Sequence, residues 1–324
     1  MKVDFPIFDR SKLKLLKLNH RQHDMRLDHV MDLRMSEPVV EPFTSIGQSI
    51  KQARDSCANV ILMIGAHVIR SGVQRFIIDL MEKGMITCLA VNGAGLIHDF
   101  ELALIGATTE SVRKYLQNGQ FGLWKETGII NDIIIDAAKN GCGAATAVGK
   151  YIEKQKLQGR NLSLLAAAKR LGILCTCHVS IGQDIVHEHP NCDGASWGAS
   201  SYTDFLHFAA HLDNLQSGVI MNLGSAVMGP EVFLKALAMA RNIAKQQEKQ
   251  INQFTTLVTD LAPLPDEIMI EPPKTEHLYY FRPWKTLLSR SISSGSKSYY
   301  ARMHHSKSVP QIWMATVEAE QNTE

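Results

Sequence analysis

The chain has few cysteines, almost no net charge and no long apolar run, and each shortage removes a class of protein. Six cysteines in 324 residues are too sparse for a disulfide scaffold, and none of them forms a C-x-x-C pair. The 34 basic residues face 32 acidic ones, leaving a formal charge of +2 that gives no electrostatic case for a nucleic-acid or membrane partner. No apolar run reaches the roughly 18–20 residues of a membrane helix. The opening MKVDFPIFDRSKLKLLKL carries Asp4 and Asp9 and no long apolar stretch, so it does not read as an export signal. The expectation is a cytoplasmic protein with reduced thiols. The dinucleotide fingerprint G-x-G-x-x-G is missing too, which argues against an ordinary Rossmann dehydrogenase.

What is present is an alternation. Residues 1–45 read as a basic, histidine-bearing N-terminal arm, marked at its end by Pro38 and Pro42. An amphipathic helix follows over residues 46–58, then the apolar run NVILMIGA, which suits a parallel strand buried on both faces. Helix and strand patterns continue through SGVQRFIIDLMEKG, ITCLAVNGAG, HDFELALIG, LSLLAAAKRLG and ILCTCHVSIG. A helix over 202–215, the run GVIMNLGSA, a long helix from Pro230 and the strand FTTLVTDLA complete the pattern. This predicts an α/β fold with a doubly wound, mostly parallel, Rossmann-like sheet and helices on both faces. The core spans 46–265 and FTTLVTDLA is its last strand. Residues 266–324 are rich in Pro, charge and aromatics, and are expected to pack on the core or on a neighbouring subunit. Tyr279, Tyr280, Trp284 and Trp313 there favour burial in an oligomer.

Three strand-like runs end in turns of small residues: GAHVIRSG (65–72), NGAG (92–95) and LGSA (223–226). In an open parallel sheet, ligands bind at the carboxyl ends of strands, where glycines let backbone N–H groups approach a phosphate. His67, Ser71, Gly72, Asn92, Gly93, Ala94, Gly95, Gly224 and Ser225 are therefore candidate cofactor-binding residues.

The order of these segments resembles deoxyhypusine synthase, over roughly residues 55–110 and 165–265. That family has an NAD-binding doubly wound fold and builds its sites at the interfaces of a homotetramer. The resemblance implies NAD as cofactor, a dimer of dimers, and Thr259 and Asp260 of VTDLAP near a ribose. It places Asp184 of HVSIGQDIV and Asp99 on family acids. The departures are specific. Ile97 and His98 replace two glutamates, Pro230 stands where the family has its catalytic histidine, and the lysine that forms an imine has only Lys285 of RPWK as its nearest counterpart. The implied protein is not a true deoxyhypusine synthase. It is a diverged, NAD-linked enzyme that dehydrogenates a small amine and transfers it through an imine, with Lys285, His187 and Asp184 as catalytic candidates.

A second constellation, CTCHVSIGQDIVHEHPNCD, gathers Cys175, Cys177, His178, His187, His189, Cys192 and Asp193. It matches no standard zinc spacing, so no metal is assigned. It leaves two other readings open: a metal-dependent hydrolase built on these residues, or a non-catalytic nucleotide-binding protein that kept the fold.

Overall fold

Five consecutive buried residues, Val60–Ile64, make the central strand of the protein. Val60, Leu62 and Ile64 enter one hydrophobic core while Ile61 and Met63 enter a second on the opposite face. Period-two alternation between two cores is what a strand covered by helices on both sides requires. The architecture is that of a computed structural model describing residues 5–34 and 37–321. Asp4 and the outer ends of the N-terminal arm and C-terminal segment lie outside the described residues.

In chain order the elements are β1 (Met25–Arg26), α1 (Phe43–Asp55), β2 (Val60–Ile64), α2 (Ala66–Arg70), α3 (Gln74–Glu82), β3 (Cys88–Asn92) and α4 (Gly93–Ile105). Then come β4 (Ala107–Thr108), α5 (Val112–Gln117), α6 (Ile129–Lys139), α7 (Ala144–Lys154), α8 (Leu164–Leu171) and β5 (Leu174–His178). The chain continues through α9 (Gly194–His211), β6 (Val219–Leu223), α10 (Met228–Gln246), β7 (Thr255–Asp260), β8 (Lys297–Arg302) and α11 (His305–Gln321). Six strands form one parallel sheet in the order β5-β3-β2-β6-β7-β8. The order runs outward in both directions from β2 and β6, so the topological switch point lies between them. This is the doubly wound α/β fold expected from the sequence. Among the described residues no helix is long and apolar enough to cross a membrane.

Two expectations are corrected. The sheet does not end at FTTLVTDLA, because β8 pairs in parallel with β7 from Thr255↔Lys297 to Asp260↔Arg302. The helix expected over 202–215 starts earlier, at Gly194, where Asp193 caps it by accepting the Ser196 N–H. The C-terminal segment folds back onto its own chain. Trp284 Nε1 donates to the Ile268 carbonyl at 2.9 Å, and Trp313 packs edge-on to Phe76 and donates to Asp79. Tyr280 stays exposed, but the premise that these aromatics need a second subunit to cover them no longer holds. Gly47 of α1 sits so close to α11 that a methyl group there would overlap the Ala315 backbone.

Two buried aspartates and one half-buried one close helix N-termini from other elements. Asp99 of α4 accepts from Ser163 Oγ and from the N–H groups of Leu164 and Leu165 at the start of α8. Asp204 of α9 accepts from Ala145 of α7 at 3.0 Å and from Cys177 of β5 at 2.8 Å. Asp184 accepts the Ala94 N–H at the start of α4. Each carboxylate satisfies helix donors that would otherwise be orphaned, and each complements the helix dipole. Asp99 therefore faces the interior and not a ligand site.

Candidate functional site

The carboxyl ends of β2, β6 and β7 form a shelf at the switch point, where ligands of such sheets bind. Gly65 passes so close to Gly224 that a side chain on it would overlap the Gly224 carbonyl. Gly224 has φ +63°, a left-handed conformation that glycine adopts without penalty. Its missing side chain makes room for the imidazole of His305, the first residue of α11. His305 Nδ1 lies 3.4 Å from Thr259 Oγ1. Burial lowers its pKa, against the pull of Asp260, while His67 and His304 lower it further. Asn222 Nδ2 donates to the Ser225 carbonyl, and Ser225 Oγ accepts the Gly229 N–H at the start of α10. Asn222 Oδ1, on a side chain only 1% exposed, has no partner among the described residues. Asp260 ends β7 with one oxygen on the N–H groups of Leu261 and Ala262.

Beside the shelf is a cavity of about 240 Å³ between α4, the 109–121 segment and the 183–185 loop. His67 of α2 is close enough to both regions for its charge to bear on His98 in the cavity and on His305 on the shelf. In the cavity floor Arg21 and Glu101 form a bidentate pair at 3.0 and 2.6 Å, each side chain 1% exposed. Thr108 and Thr127 also donate to Glu101. Burial pushes His98 down to about 4, opposed by Glu101 and reinforced by Arg70, Arg21 and His67, so its imidazole is neutral at pH 7. Burial raises Asp184 to about 6 although the Ala94 N–H favours its charged form, and it raises Glu110 as well. Glu110 accepts from Trp124 Nε1 and the Gly122 N–H.

The sequence candidates divide. Gly224, Ser225, Asp260 and His67 come together on or beside the shelf, and Asp184 lines the cavity with Ala94. Gly93, Ala94 and Gly95 do not form an open phosphate cradle: the Gly95 N–H donates to Asn92 Oδ1 at 2.8 Å and the Ala94 N–H to Asp184. Gly93 serves instead to admit the Asp184 carboxylate, which a side chain there would overlap. Ser71 bonds back to the His67 carbonyl, and the Gly72 carbonyl accepts Met31 N–H under the N-terminal arm. Both stand at the far end of α2, away from the shelf.

His187 braces its own loop, with Nδ1 accepting the N–H groups of Gly182 and Asp184 and the ring edge-on to Trp197. Lys285 is buried in a π-helical turn (Trp284–Arg290) beside β7, β8 and α10, its Nζ 4.2 Å from the Tyr279 ring centroid. That is the opposite end of the sheet from β5 and β3, so the fold does not bring Lys285 to Asp184 and His187.

The Cys/His constellation disperses. Cys175 and Cys177 join the hydrophobic core and burial raises both thiols, while His178 turns the other way to Phe208. His189 is fully buried with Nε2 2.8 Å from the Gly122 carbonyl. Among the described residues no three His, Cys, Asp or Glu side chains gather as a metal ligand set, so the hydrolase reading loses its centre. Sequence reasoning missed His305 and Arg70. No sequence signal marked His305, because the strand it follows, β8, carries no apolar run.

Parallel strands wound outward from a switch point, with polar groups at their carboxyl ends, define a Rossmann-like α/β protein. Comparison with known proteins sharpens that class. The chain is similar to a deoxyhypusine synthase-like protein of Chlorobaculum parvum (strain DSM 263 / NCIMB 8327), 22% identical over 232 residues. That match covers 65% of this chain and 65% of its relative, just under two thirds. The resemblance read from short motifs thus extends well beyond them. No protein-family model matches the chain. Among solved structures, a conserved LOR/SDH protein from Methanococcus maripaludis S2 superposes with a TM-score of 0.51 at 14% identity, over 89% of this chain and 72% of that one. Unliganded AgrE superposes with a TM-score of 0.51 at 15% identity, over 90% of this chain and 35% of that one. AgrE is also known in a ternary complex with ornithine and NAD+. These structural likenesses concern the fold.

The residues present fit NAD at the β6–β7 end of the shelf and not at NGAG. The orphaned Asn222 Oδ1 and an acid at the end of β7 suit the hydroxyls of a nucleoside, while the Gly224 N–H is bonded to the Thr259 carbonyl and the space beside it is filled by His305. At NGAG the protein has already spent its donors on Asn92 and Asp184.

Proposed function

We propose that the protein is an NAD-linked enzyme acting on a small amine. The observation that carries this reading is the adjacency of the β6–β7 shelf to a cavity lined by Asp184 and Glu110, shelf and cavity both within reach of the charge of His67. NAD, when bound, accepts hydride from the carbon bearing the amino group. Asn222, Gly224, Ser225, Asp260 and His305 would hold the cofactor. Asp184 would hold the ammonium and take its proton, since burial brings its pKa within reach of neutral pH. Pro230, buried in the first turn of α10, offers no proton, and His305 supplies an imidazole on the same shelf from another element. Imine transfer on a lysine finds no lysine in this cavity, so a role for Lys285 would cross a subunit boundary. Self-association belongs to the same proposal. Ala195, Ala199, Tyr202 and Leu206 are exposed on α9, whose one charged residue, Asp204, is buried. An exposed face without charge has the composition of an interface core.

Calorimetry with NAD and NADH at millimolar concentration tests the cofactor, and NADH formation across a panel of amines tests the reaction. Binding with a heat and a thermal shift is expected. No response to either dinucleotide would remove the reading. Light scattering at micromolar concentration tests assembly, which a mass near the 36.0 kDa of one chain would exclude.

A further inference from the structure

The cavity beside the shelf is not simply acidic. Arg21 and Glu101 cancel one another through their bidentate pair. What remains is one guanidinium, Arg70, and two carboxylates, Asp184 and Glu110. Among the described residues Arg70 forms no ion pair, and its Nη1 lies 3.5 Å from His67 Nε2. The hydrogen bonds described for the two acids come from uncharged donors, the Ala94, His187 and Gly122 N–H groups and the Trp124 indole. Thr109, 6% exposed, also lines the cavity, and its Oγ1 finds no partner among the described residues. Among the lining residues the unbalanced charges are thus one positive and two negative, and Glu188, close enough to Glu110 to feel its charge, is raised to about 7 by burial and by Glu110.

We infer that this cavity takes a diamino acid, its carboxylate on Arg70 and its two ammonium groups on Asp184 and Glu110. A diamine would leave Arg70 facing two like charges, and a simple amino acid would leave one carboxylate without a cation. The half-buried Asp184 and Glu110 discriminate against a ligand that leaves one of them unpaired, and the exposed Arg70 adds a preference for a carboxylate. A volume of about 240 Å³ is ample for a chain of five or so carbons. The inference rests on the proposed amine reading and names its substrate class.

Three probes of one skeleton test it: L-ornithine, putrescine, which lacks the carboxylate, and L-norvaline, which lacks the second amine. Calorimetry on the full chain with saturating NAD, repeated without it, is expected to rank ornithine at least tenfold above both. Arg70→Gln, at an exposed position where folding is not at stake, should erase the preference over putrescine and leave putrescine affinity equal or better. Equal affinity for ornithine and putrescine in the wild type, or no effect of Arg70→Gln, overturns the inference while the amine reading stands. No binding of any probe, with or without NAD, overturns both.

Discussion

Gly93 and Asp184 are a matched pair: the carboxylate occupies the space that any side chain at residue 93 would fill, and from there it takes the Ala94 N–H. Gly93→Ala should therefore push Asp184 off the start of α4. Overpacking of this kind costs about 1–3 kcal/mol, readable in a urea titration. Asp184→Asn keeps an acceptor for Ala94 but removes the charge. It should leave the melting temperature within a few degrees and weaken ornithine binding at least tenfold. Unchanged binding would remove Asp184 from the site.

The same aspartate sets a pH dependence. Burial raises its pKa to about 6, so at pH 5 roughly nine-tenths of it is protonated and cannot pair with an ammonium. Amine affinity should rise about tenfold from pH 5 to pH 7 and then level off. Calorimetry at three pH values checks this, and a flat profile speaks against it.

Asp204 should make the fold less stable as pH rises. Burial outweighs its backbone donors and raises its pKa from 3.8 to about 7. The folded chain therefore holds this proton more tightly than the unfolded one. The corresponding stability is fully present below pH 4 and is lost as pH climbs through 7. Asp204→Asn should flatten the fall in melting temperature between pH 5 and pH 8. Parallel curves for variant and wild type would show that the charge at Asp204 is already relieved.

Breaking the Arg21–Glu101 pair should be severe. Glu101→Gln leaves a guanidinium buried against a neutral amide, a change that typically costs 3–5 kcal/mol. Guanidinium denaturation measures it directly. Pairing that change with Arg21→Met should recover much of the loss, because the second substitution removes the stranded charge.

Gly224→Ala should act on the shelf. The new methyl group would overlap His305 and would also hold alanine at φ +63°. A left-handed alanine costs roughly 1–2 kcal/mol before any overlap is counted. NAD affinity should fall with it. Adding His305→Ala to Gly224→Ala should restore part of the stability without restoring the affinity, which separates crowding from loss of the imidazole.

The strands that sequence reading found are those buried on both faces, where Val60–Ile64 is an unbroken apolar run and Val219–Leu223 is interrupted only by Asn222. β8 escaped it for the opposite reason. KSYYAR lies at the edge of the sheet, with only Ala301 fully buried, so it carries no apolar run to recognise. Asp184 was legible through a family resemblance, but its partner was not, because Gly93 reads as phosphate-binding until the aspartate is seen in its place. His305 reaches Gly224 only once β8 has been laid beside β7. Arg70 was unremarkable in sequence, since a single arginine on a five-residue helix carries no periodic signal.

The close approach of Gly47 to Ala315 has a kinetic consequence. The face of α1 bearing Phe43, Ile46 and Ile50 is covered in part by α11, and these two helices come from opposite ends of the folded chain. Contacts of such sequence separation form late, because loop closure must precede any return from them. A refolding chain should therefore pass through species whose inner sheet is paired while α1 stands bare to water. In those species the apolar stripe of α1 is free to meet the same stripe on another molecule, so recovery of native protein should fall as refolding concentration rises.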